Sequence, residues 1–81
     1  PFNPETTIEY QVPDNNFIRI KIFNLLGQEV KTLVSKQQPA GRYKITWNGL
    51  NSGGNKVASG VYVYELQTIS KIFRKKMLLL H

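Results

Sequence analysis

Short runs of alternating apolar and polar residues, each closed by a cluster of Gly, Pro or Asn, leave this chain few folds to choose from. Thr6 to Val12 places Ile8, Tyr10 and Val12 on one face, and Pro13-Asp14-Asn15-Asn16 closes the run as a turn. Phe17 to Phe23 carries Ile18, Ile20 and Ile22 as its buried set, with Phe17 and Phe23 on the less buried face. Asn24-Leu25-Leu26-Gly27-Gln28 is a connection that calls for positive φ at Gly27. Glu29 to Val34 reads as a short strand with Val30 inward, and Gln37-Gln38-Pro39-Ala40-Gly41 turns the chain into Arg42 to Asn48. There Tyr43, Ile45 and Trp47 face the core. After the loose loop Asn51-Ser52-Gly53-Gly54-Asn55, Lys56-Val57-Ala58 is expected to pair briefly. Ser59-Gly60 then turns into Val61 to Thr68, with Tyr62, Tyr64 and Leu66 on one face, and a last strand runs over 71–80. No helical period is sustained anywhere. About seven short strands, with turns roughly every 8–12 residues, predict an all-β antiparallel sandwich with Greek-key connections.

Eighty-one residues suit one domain with one small core, and the whole span 1–81 is read as a single unit. A two-sheet sandwich needs a bulky residue near its centre, and Trp47, the sole tryptophan, is the natural candidate. There are no cysteines, so disulfides and thiolate metal sites are excluded. No apolar run approaches the roughly 20 residues that a membrane-spanning helix needs. The start of the chain lacks a secretory signal pattern, so any such signal is expected on an upstream protein. The formal net charge is +6. Arg19, Lys21, Arg42 and Lys44 alternate with apolar residues, which reads as solvated strand faces rather than a nucleic-acid surface.

Catalysis finds little to work with. The one histidine is the terminal His81, where nothing orients it as a general base. The serines lack an internal histidine partner, and the five acids are scattered over separate strands and turns. The stretch Asn51 to Lys56 lacks the Gly-Lys-Ser/Thr ending of a phosphate loop, and its asparagines offer calcium no carboxylate. No enzyme activity, cofactor or metal is expected. Tyr62, Tyr64 and Trp47 would serve as a sugar platform if exposed, but their shared face fits core packing better.

The end of the chain stands apart. Ile72 to Leu80 breaks its alternation after Lys76, since four consecutive apolar residues cannot share one side. Either the last strand is buried on both faces, or part of it is read along its edge by a receptor, with Lys75-Lys76 as the charged mark.

Several segments together resemble the C-terminal sorting domain of proteins exported by the bacterial type IX secretion system. They are Pro1-Phe2-Asn3-Pro4 with Thr6-Thr7-Ile8, Asn24 to Val30, Ala40-Gly41, Ala58 to Tyr62 and the closing Lys75 to Leu80. The resemblance implies a small immunoglobulin-like sandwich at the end of a larger secreted or cell-surface protein. It implies a non-catalytic signal that takes a fused upstream cargo through an outer-membrane translocon, before removal by a sortase-like peptidase. On that reading the export machinery recognises Lys75, Lys76, Met77, Leu78, Leu79 and Leu80, while Gly27 and Gly60 are scaffold turns. The alternative is a passive or carbohydrate-binding Ig-like module beside a secreted enzyme. A second resemblance, over Trp47 to Gly54, is to the Ig-like domain of the flagellar hook-capping protein, in which a Trp-Asp-Gly turn leads to a Ser-Gly strand. The two terminal motifs favour the sorting domain.

Overall fold

The computed structural model describes residues 5–80. Six strands form in them: β1 (Thr6–Val12), β2 (Asn16–Phe23), β3 (Glu29–Gln38), β4 (Gly41–Trp47), β5 (Gly60–Gln67) and β6 (Ile72–Leu79). β1 pairs with β4 in a two-stranded sheet, and β3-β2-β5-β6 make a four-stranded one. All pairings are antiparallel. The chain crosses between sheets at β1–β2, β3–β4 and β4–β5, so β2 lies beside β5 rather than β1. This is an immunoglobulin-like sandwich, with six strands where about seven were expected.

The strand at fault is the brief one expected over 56–58. Only an isolated bridge forms there, between Leu50 and Lys56. β3, by contrast, is longer than its sequence suggests. Its pairing with β2 continues to Asn16↔Gln38, so the turn is confined to Pro39 and Ala40. The reason is Gln38, which is buried and accepts a 2.8 Å hydrogen bond from the Tyr10 hydroxyl. A polar residue thus ends the strand on its core side, against the trend of the polar run before it.

Elsewhere the alternation sets the packing. Ile18, Ile20 and Ile22 of β2 meet Ile8 and Val12 of β1, Val34 of β3, Trp47 of β4, Tyr62 of β5 and Leu79 of β6 in one core. Each such aliphatic or aromatic side chain contributes on the order of 1.5–3 kcal/mol by leaving water. Trp47 is fully enclosed, at 0% exposure. Its ring meets Tyr62 edge-on, with centroids 5.0 Å apart and planes at 72°.

The β2–β3 connection closes as foreseen. Gly27 has φ +83°, a left-handed conformation that a Cβ disfavours. The Asn24 side-chain carbonyl accepts from the backbone N–H of both Leu26 and Gln28, so one amide side chain organises the turn. Gly60 also has positive φ, at +153°, but a Cβ there would meet nothing within 4 Å. Open space thus surrounds the position, and only the backbone conformation favours glycine there.

Candidate protein-interaction face

The four-stranded sheet turns one face to the core and the other outward. On the outer face, register sets Lys21 beside Glu65 and Glu65 beside Arg74. Glu65 is buried, at 6% exposure, and its carboxylate accepts a 2.7 Å bond from Arg74 Nε and another from Gln67 Nε2. Lys21 pairs with Glu29 at 3.1 Å. The Lys21 ammonium that hydrogen-bonds to it holds the Glu29 carboxyl below its usual range, against the opposing effect of burial. Periodicity along β5 had put Glu65 on the outer side, as the structure does. It gave no sign that the side chain would be covered, because the covering arginine comes from the next strand.

At one end of this face the polar pairs give way to apolar side chains. Val61 stands opposite Leu78, and Val63 neighbours Phe23 across the ladder. Leu25 and Leu26 project from the β2–β3 turn, Leu26 at 84% exposure. A shallow hollow there is lined by Phe23, Leu25, Val63, Glu65 and Arg74.

The structure spreads the six residues expected to form a recognition element over two sides of β6. Lys75, Lys76, Leu78 and Leu80 are exposed, Met77 is half-buried, and Leu79 is buried in the core at 1% exposure. Alternation therefore persists to the end of the strand, and β6 is covered on one face only. The four apolar residues in a row arise because Leu78 and Leu80, which alternate with Met77 and Leu79, are apolar yet exposed. Burial on both faces, the other reading of this run, does not occur.

Trp47 and Tyr62 lie in the core and Tyr64 is half-buried, its ring 6.5 Å from that of Phe73. Tyr62 also donates from its hydroxyl to the Ala58 carbonyl. These rings therefore make no exposed stacking platform. The loop over 51–55 spends its asparagine oxygen internally: Asn51 Oδ1 accepts from the backbone N–H of Gly53 and Asn55. Ser52 ties the loop to β3 through the Val30 carbonyl, and Trp47 Nε1 donates to the Leu50 carbonyl at 2.9 Å. Among the described residues no group of three or more His, Asp or Glu side chains converges. None of their helices is long and apolar enough to cross a membrane. The opening Pro1-Phe2-Asn3-Pro4 and the terminal His81 lie outside the described residues.

Residues 5–71 match the model of the FlgD Ig-like domain family. The chain belongs to that family. Among solved structures, it is similar to FLGD from P. aeruginosa, with 25% identity, a TM-score of 0.71 and 93% of this chain covered. The chain spans 59% of that protein's length. No curated protein matches it.

FlgD membership reverses the balance between the two resemblances. The type IX resemblance drew on segments along most of the chain and was preferred over the hook-capping one on the two terminal motifs, whereas the FlgD match over 5–71 takes in the whole sandwich up to β6. The sorting-signal function falls, and with it the translocon and the sortase-like peptidase as partners. The secreted-enzyme accessory module finds no support either, since the comparisons point to FlgD and the rings it would use are enclosed. The minor resemblance, over Trp47 to Gly54, pointed to the right family.

Proposed function

We propose that this FlgD Ig-like chain is a non-catalytic structural module of a flagellar hook-assembly protein of the hook-capping kind. The observation that carries this reading is the family match over residues 5–71, reinforced by the structural likeness to P. aeruginosa FLGD. The module supplies a rigid two-sheet body with a polar-paired outer face and an apolar end, a surface suited to holding protein subunits. The test is to delete the segment encoding the module from the parent gene and examine the cells by electron microscopy. Loss of hooks, with motility lost too, is the expected result. Normal hooks after deletion, or a source organism that builds no flagellum, would overturn the reading.

A further inference from the structure

β6 is an edge strand, and its outer edge is open. β5 pairs with one side of it from Gly60↔Leu79 to Gln67↔Ile72. On the other side, Thr6 Oγ1 donates to the Leu78 carbonyl at 3.3 Å, so that carbonyl points away from β5. Backbone direction repeats every second residue in a strand. The N–H and C=O groups of Ile72, Arg74 and Lys76 therefore point outward as well, and no strand among the described residues pairs with them.

β1 lies across from this edge and is paired with β4 alone. β1 and β6 touch at Thr6 and Leu78, and further along they leave a cleft. One part, of about 320 Å³, lies between Thr6 to Glu9 and Lys75 to Met77. A larger part, of about 500 Å³, has Val12 and Pro13 on one wall and Leu66, Ile69 and Phe73 on the other. Phe73 and Ile69 are both exposed, so the cleft has an apolar floor.

Charge says what fits. Lys71, Lys75 and Lys76 are exposed and make no ion pair among the described residues, whereas Glu9 is engaged by Lys44 and Glu65 by Arg74. Arg74 and Lys76 sit on the outer face of β6, and Phe73 on the inner. We propose that the free edge of β6 takes an extended acidic segment of another polypeptide as an added strand. Its carboxylates alternate along the outer face to meet unpaired Lys76 and the exposed end of Arg74, whose Nε is the atom that holds Glu65, and its apolar side chains lie inward over Phe73. Main-chain bonds supply affinity and the alternating side chains supply selectivity. A second copy is the wrong occupant, because β6 against β6 sets cation against cation, and lysines on an edge resist self-pairing. The inference goes beyond the hook-assembly reading and does not depend on it.

The experiment uses the 81-residue chain, ¹⁵N-labelled, with an acetylated peptide alternating Glu and Val. Controls are a peptide of the same composition with Glu and Val in separate blocks, an alternating Lys-Val peptide and a single-stranded oligonucleotide. Amide exchange should slow at Ile72, Arg74 and Lys76 with the Glu-Val peptide, and much less with the controls. Lys76→Glu should weaken binding by about 3–10-fold, since repulsion replaces attraction across the pair. Lys76→Pro removes an outward N–H without touching the β5 ladder, and should abolish the effect while β2 amides stay protected. The proposal is overturned by equal binding of the blocked peptide, or by no binding at about 1 mM peptide. Protection on β3 or β4 instead would overturn it too. So would tighter binding of the oligonucleotide, or protection that rises with protein concentration alone.

Discussion

Trp47 stands edge-on to Tyr62 at 5.0 Å and donates from its indole N–H to the Leu50 carbonyl at 2.9 Å, so one side chain joins the two sheets and anchors the 51–55 loop. Trp47→Ala should cost about 3–5 kcal/mol, the range for emptying a large core site. That is comparable to the whole stability of a domain this small, at about 0.05–0.15 kcal/mol per residue. Urea titration followed by circular dichroism should find the variant largely unfolded in buffer. Trp47→Phe should stay folded but lose about 1–3 kcal/mol, with Leu50 left without its donor.

Glu65 depends on Arg74 in a way that the reverse is not true. Arg74 is largely exposed, and Glu65 is covered. Arg74→Leu strands a covered carboxylate and should cost about 1–2 kcal/mol, less than a fully buried pair because solvent screens the arginine side. The double variant Glu65→Leu/Arg74→Leu should be more stable than Arg74→Leu alone. A double-mutant cycle by chemical denaturation reads the coupling.

Burial raises the Tyr64 hydroxyl above the ordinary tyrosine value, and Tyr10 likewise, in the latter case against the opposing hydrogen bond with Gln38. A raised folded value means that the folded state holds its proton longer than the unfolded chain does. The stability involved is present in full below about pH 10 and is lost as pH rises through the raised values. Denaturation midpoints should therefore hold up to about pH 10 and fall above it, and Tyr64→Phe should flatten part of that fall.

Gly27 at φ +83° and the double acceptor Asn24 predict two local costs in the β2–β3 turn. Gly27→Ala should destabilise by about 1–2 kcal/mol through backbone strain alone, since open space surrounds the site. Asn24→Ala should cost about 1 kcal/mol as two turn amides lose their acceptor. Thermal unfolding measures both.

What the chain discloses about itself follows from where its information is local. Ile18, Ile20 and Ile22 declare their face by spacing alone, and Asn24 with Gly27 declares a turn by residue type. Glu65 does not declare its burial, because Arg74 reaches it through a register that no single strand encodes. Gln38 reads as loop, since its partner Tyr10 comes from another sheet. Met77 to Leu80 reads equally well as a strand covered twice or one left bare on a face; only the edge position of β6 decides. The family was harder still. The Trp47 to Gly54 turn, shaped by the Trp47–Leu50 bond and the Asn51 hydrogen bonds, pointed to FlgD, while segments along the rest of the chain, the two ends above all, resembled another family.

The most direct measurement is immunogold electron microscopy of growing hooks, with an antibody raised against this module. Hook assembly of the capping kind predicts gold at the distal end of each growing hook. Gold spread over the cell surface or shed into the medium, with bare hook ends, would contradict it.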